Sequence, residues 1–123
     1  MSYRSYTPNR GDLVHMNFSP SAGHEMAERH YAIVLSPLNY NRQARMALVC
    51  PITSRSRGWA WEIELPAGLL PAKSGVGVVR SFIVSDGIRQ VDYREREMQF
   101  IAAAPAPVVE EVLDKLFTIL EGA

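Results

Sequence analysis

The alternation of apolar and polar residues marks several strands before any other property is considered. Between Leu13 and Phe18, Val14, Met16 and Phe18 fall on one side and His15 and Asn17 on the other, as in a half-buried strand. Ser19 to Gly23 then reads as a loop. Tyr31–Leu35 and Met46–Ile52 are apolar runs of buried-strand length, separated by a polar turn from Pro37 to Ala44. Trp59, Trp61, Ile63 and Leu65 alternate with Glu62 and Glu64, which predicts a clear strand over 59–65. Residues 66–74 form a connection with room for one helical turn. Gly75–Val84 is a further apolar run with glycines suited to a bulge, and Ile88–Val91 and Met98–Ile101 are short strands.

The periodicity changes at the end of the chain. Val109, Val112, Leu113, Leu116, Phe117 and Leu120 recur at helical spacing. Glu110, Glu111 and Asp114 lie in or near its first turns, Glu111 and Lys115 are four apart, and Gly122 is a stop. Many short strands with one terminal helix predict a mainly β fold (α+β), either a small SH3-like barrel or a strongly curved antiparallel sheet.

At 123 residues the chain is read as one domain, 1–123, able to form a core without disulfides or metal. The single cysteine, Cys50, sits in an apolar run and reads as a small buried hydrophobe. No signal-peptide pattern and no membrane-length apolar run is present, so the expected location is the cytoplasm. The net charge is zero but unevenly spread: residues 1–60 carry seven arginines against three acids, and 105–123 carry four acids against one lysine. Arginine's planar fork suits phosphate contacts, although ordinary solvated surface arginine accounts equally well for the composition.

The chemistry-bearing segments are the loop before Tyr31 and the run Thr53-Ser54-Arg55-Ser56-Arg57-Gly58. The first supplies Glu25, Arg29 and His30, and the second supplies hydroxyls and guanidiniums. Cutting RNA without a metal requires a base for the 2′-hydroxyl, an acid for the leaving oxygen, and positive charge on the phosphate. His30 can serve as base or acid, Arg29 is a permanent cation, Thr53 can donate to a phosphate oxygen, and Glu25 can orient the cation or accept a proton. Plainer readings stand beside these: a surface His–Arg pair, a solvated hairpin turn at 53–58, and tryptophans that serve the core rather than a base stack. No Cys/His cluster has metal-ligand spacing, and no glycine-rich phosphate loop is present.

Gly11-Asp12-Leu13-Val14, Phe18-Ser19-Pro20, Gly23-His24-Glu25, Val34-Leu35-Ser36-Pro37, Asn39-Tyr40-Asn41 and Pro51-Ile52-Thr53-Ser54 occur in order. Together with Ser85-Asp86 and Asp92-Tyr93-Arg94, they make the chain resemble the MazF/PemK family of toxin endoribonucleases, which includes ChpB and Kid. The resemblance implies an SH3-like fold with a C-terminal helix, a homodimer, a MazE/PemI-like antitoxin, and no cofactor or metal. It implies the toxin of a type II toxin–antitoxin system, which inhibits growth by cutting single-stranded messenger RNA at short motifs. Cleavage would proceed by 2′-hydroxyl attack to give a 2′,3′-cyclic phosphate.

The family threonine carries over to Thr53 and its acidic residue to Glu25. Counting back from Ser36 puts the family arginine's place at His30, with Arg29 one residue early, and Tyr31 replaces the family proline. Arg29 and His30 therefore both stand as candidates. Gly87 replaces a family glutamine. Ser54, Arg55, Arg57, Ser36, Asp86 and Arg89 are the expected RNA contacts. The alternative is a weakened or non-enzymatic member of the fold that binds RNA, an antitoxin or another protein. A gyrase poison of the CcdB type is disfavoured, because that family's C-terminal Trp-Gly-Ile is replaced here by Leu120-Glu121-Gly122-Ala123.

Overall fold

The computed structural model describes residues 6–18, 29–71 and 80–122, with Arg29 described by its backbone alone. Its elements are β1 (Asp12–Asn17), β2 (Arg29–Val34), α1 (Leu38–Ala44), β3 (Ala47–Thr53), β4 (Glu62–Glu64), β5 (Phe82–Val84), β6 (Arg89–Val91), β7 (Gln99–Ala103) and α2 (Ala106–Glu121). All the strand pairs are antiparallel, in the order β4-β5-β3-β2-β1-β7, with β6 also on β3. The sheet is open rather than closed into a barrel, which selects the curved-sheet form of the expected fold.

β3 is the hub. One edge pairs with β2, while the other is divided: Ala47–Val49 pair with β6, and Ile52 and Thr53 pair with β5. Because side chains alternate along a strand, the central strands feed two cores. Leu13, Ile33, Cys50 and Ile52 pack on one face with Val109, Val112 and Leu116 of α2. Val14, Met16, Ala32, Val34, Ala47 and Val49 pack on the other with Phe18, Val91, Tyr93 and Met98. Burying each large aliphatic side chain contributes roughly 1.5–3 kcal/mol. Covering both faces explains why β2 and β3 read as continuous apolar runs and not as alternating ones.

Several expected elements are corrected. The polar turn at 37–44 contains a helix, α1, which lacks an apolar stripe and is organised around one buried polar residue, Asn41. Pro37 starts it in an extended conformation, and Asn9 Oδ1 accepts the Leu38 N–H at 3.0 Å. The Asn41 side-chain amide donates to Pro8 O at 2.7 Å and to Ser36 O at 2.9 Å. The helix ends at Arg45 in the left-handed region, φ 57°, its N–H bonded to Asn41 O at 2.9 Å.

The strand expected over 59–65 is only Glu62–Glu64: Ile63 and Leu65 are buried, but Trp59 is 51% exposed. Of the run 75–84, residues 75–79 lie outside the described part and 82–84 form β5. Helix α2 begins after Pro105 and ends at Gly122, φ 72°, as its spacing and stop signal predict. Its buried residues are Val108, Val109, Val112 and Leu116, whereas Phe117 and Leu120 stand out in solvent. Glu110, Glu111 and Asp114 follow the first turn, which carries no acid. Lys115 donates to Ala60 O at 2.9 Å and lies 5.9 Å from the Trp61 ring, rather than pairing with Glu111.

Candidate functional site

The β2–β3 register organises the chemistry-bearing residues. Ala32 stands opposite Pro51, Ile33 opposite Cys50 and Val34 opposite Val49. Continued by two residues, this register sets His30 across from Thr53. Both then share the face of Ala32, Val34 and Val49, because residues two apart on a strand point the same way. Arg89 joins that face through β6, where it stands opposite Val49.

Phe18 ties the group together. The half-buried His30 imidazole meets its ring nearly edge-on, with centroids 6.0 Å apart. The Arg89 guanidinium carbon lies 5.4 Å from the same ring's centroid. A cation over an aromatic face contributes about 0.5–2 kcal/mol, more where water is excluded. Phe18 itself is only 2% exposed, so it serves as a fixed wedge between a titratable ring and a permanent cation.

Thr53 closes β3, and its Oγ1 accepts the Arg55 N–H at 3.1 Å. One lone pair is thereby used while the hydroxyl proton remains available to an acceptor such as a phosphate oxygen. Ser54, Arg55, Ser56 and Arg57 are exposed. Glu62 anchors this loop by accepting Ser56 Oγ at 2.8 Å and the Arg57 N–H at 3.1 Å. Those bonds, Ser56 first, hold the Glu62 carboxyl below its ordinary range.

The remaining expected residues are placed differently. Ser36 is 3% exposed, and its hydroxyl donates to Asn41 Oδ1 and accepts Leu48 N–H at 2.8 Å. That burial and those bonds give it a structural role just after β2. Asp86 is exposed and accepts the Trp59 indole N–H at 2.9 Å. Arg29 pairs with Asn17 through the backbone. Glu25 lies outside the described residues.

Two features are hidden in the sequence. Phe18 reads as core, and only its position directly after β1 signals its second role. Gly87 backs onto Pro51, where an added Cβ would stand 3.1 Å from the ring Cδ. Among the described residues no group of three or more His, Cys, Asp or Glu is arranged to hold a metal ion, and no helix is long and apolar enough to cross a membrane.

Comparison with known proteins agrees with this architecture. Residues 9–120 match the family described as PemK-like, MazF-like toxin of type II toxin–antitoxin systems. The endoribonuclease toxin MazF of Escherichia coli K12 is 33% identical over 91 residues, covering 74% of each chain. The crystal structure of MazF from Deinococcus radiodurans superposes with a TM-score of 0.79 at 42% identity, over 94% of this chain and 98% of that one. A MazE–MazF structure from the same organism gives 0.77 at 40% identity, with the same coverage. With the matched region running from the arm before β1 to the last turn of α2, the chain belongs to the PemK-like, MazF-like family of type II toxin–antitoxin toxins.

Proposed function

We propose that the chain is an endoribonuclease toxin that cuts single-stranded RNA by intramolecular attack of a 2′-hydroxyl. What supports this reading is the β2–β3 register, which, continued two residues beyond Ala32 and Pro51, sets His30 across from Thr53 on the face that also holds Arg89. In the reaction, the 2′-oxygen loses its proton, bonds to phosphorus and displaces the 5′-oxygen, which takes up a proton. The products are a 2′,3′-cyclic phosphate and a 5′-hydroxyl end. His30 moves a proton, with Arg29, the first residue of β2, and Glu25 as partners. Arg89 and Thr53 stabilise the charge that grows on the nonbridging oxygens. Arg55, Arg57 and Ser54 line the path of the flanking backbone.

No step in this scheme requires a metal. The chain works as one domain and pairs with a second copy of itself. An antitoxin of the MazE kind neutralises it, in keeping with the complex known for its Deinococcus relative.

The test is cleavage of a long unstructured RNA by purified protein in EDTA, with the new ends identified. Cyclic phosphate and 5′-hydroxyl ends are expected. His30→Ala should lose about 10²–10⁴-fold in rate, the usual contribution of a positioned acid or base. Full activity in both His30→Ala and Arg29→Ala would refute the assignment.

A further inference from the structure

We propose that Trp59 is a stacking platform for one nucleobase of the bound strand and that Asp86 is the residue that positions it. This rests on the RNA-cutting function proposed above and adds a subsite to it. Trp59 is 51% exposed, an unusual state for the largest apolar side chain, yet it is not loose. Its indole N–H is held at 2.9 Å by Asp86, 27 residues further along the chain. Its carbonyl accepts the Glu62 N–H at 3.0 Å, and the preceding Gly58 turns through φ 65°.

The ring's one polar group is thus satisfied in its own plane, and what remains for a ligand is the π face. Trp61 shows the contrast, being less exposed and having the Lys115 ammonium over its ring. The fold packs Trp61 more deeply and leaves Trp59 half exposed.

The location suits a base next to the scissile phosphate. Asp86 lies in a turn closed by Gly87 N–H to Val84 O at 3.0 Å, and Gly87 backs directly onto Pro51, two residues before Thr53. Trp59 is in the same loop as Arg55 and Arg57, so a phosphate-binding path and an aromatic face sit side by side. That pairing is how single strands are held, since every base offers a π face. Fixing the ring in advance lowers the ordering cost of binding.

The experiment uses the full chain. On a cleaved RNA, Trp59→Leu should raise KM about 10-fold with kcat changed less than about 2-fold. Trp59→Phe, which keeps a ring, should stay within about 3-fold, and Asp86→Ala should fall between them. An abasic nucleotide placed at successive positions should reproduce the Trp59→Leu loss at one position, and adding Trp59→Leu there should cost nothing more.

Because the chain has two tryptophans, Trp61→Phe leaves Trp59 as the sole indole emitter. Its fluorescence should be quenched by 2′-O-methyl RNA, which binds without being cut. An unchanged KM in Trp59→Leu, or no quenching at saturation, overturns the platform. If the unaltered protein cuts no RNA, the nuclease reading fails, and the quenching measurement still decides the platform.

Discussion

Replacing Asn41 with alanine should be among the most damaging single changes in this protein, although Asn41 lies in a short helix outside the sheet. The residue is wholly buried and joins three segments: the arm at Pro8, the end of β2 at Ser36, and α1. Its backbone carbonyl also accepts the Tyr93 hydroxyl at 3.1 Å, bringing in the β6–β7 connection. Alanine would leave the Pro8 and Ser36 carbonyls and the Ser36 hydroxyl proton without their partner. Each buried group so orphaned costs about 1–3 kcal/mol, and local relaxation limits the sum to about 3–5 kcal/mol.

At roughly 2.1 cal/mol/K of unfolding entropy per residue, a chain of 123 residues loses about 4 °C of Tm per kcal/mol. A fall of about 12–20 °C is expected by calorimetry, with a matching drop in urea midpoint. Ser36→Ala should cost about 1–2 kcal/mol. The double variant should lose at least about 1 kcal/mol less than the sum, because the two residues share a bond. A loss below about 1 kcal/mol in Asn41→Ala, or strict additivity, would refute this account.

Cys50 gives a pH signature: burial first, then the nearby Asp86 charge, push its thiol up to about 12. Between about pH 9 and 12 the unfolded thiol ionises while the native one stays protonated, so stability should fall with rising pH by up to about 1.4 kcal/mol per unit. Cys50→Ala should lack that component in urea titrations compared with the parent. Gly87→Ala places a methyl 3.1 Å from Pro51 Cδ and 3.3 Å from Val84 Cγ1, and should cost about 1–3 kcal/mol in the same assay. Arg89→Leu should slow RNA cleavage about 10-fold or more. Arg89→Lys should recover only part of the rate, since a lysine keeps the charge but loses the planar contact with Phe18. Equal rates for the parent and Arg89→Leu would remove Arg89 from the site.

What the sequence discloses follows from the kind of force behind each element. From Val14 onward β1 is buried mainly on one face, as is α2, so the alternation from Val14 to Phe18 and the spacing from Val109 to Leu116 locate them. Helix α1 is set by a polar anchor: Leu-Asn-Tyr-Asn-Arg-Gln-Ala has no stripe to read, and the buried Asn41 is invisible until its partners are assembled. The Trp59–Leu65 pattern overstates a strand because Asp86 holds the Trp59 indole at the surface. At the site, the residue types announced themselves in two segments, Arg29-His30 and Thr53-Ser54. Their alignment depends on strand register, and the part played by Phe18 depends on contacts from β2 and β6, which no local pattern encodes.

The shared outer edge of β3 has a kinetic consequence. Among the described residues the β4–β5 ribbon joins the main sheet through two ladder pairs, Ile52–Ile83 and Thr53–Phe82, and is otherwise held by the packing of Ile63, Leu65 and Ile83 in the core. Such a ribbon should open and reseal as a small cooperative unit while β1, β2 and β3 stay closed. Its amides should therefore exchange with deuterium ahead of the rest, and each opening would release the neighbours of Thr53 without unfolding the molecule.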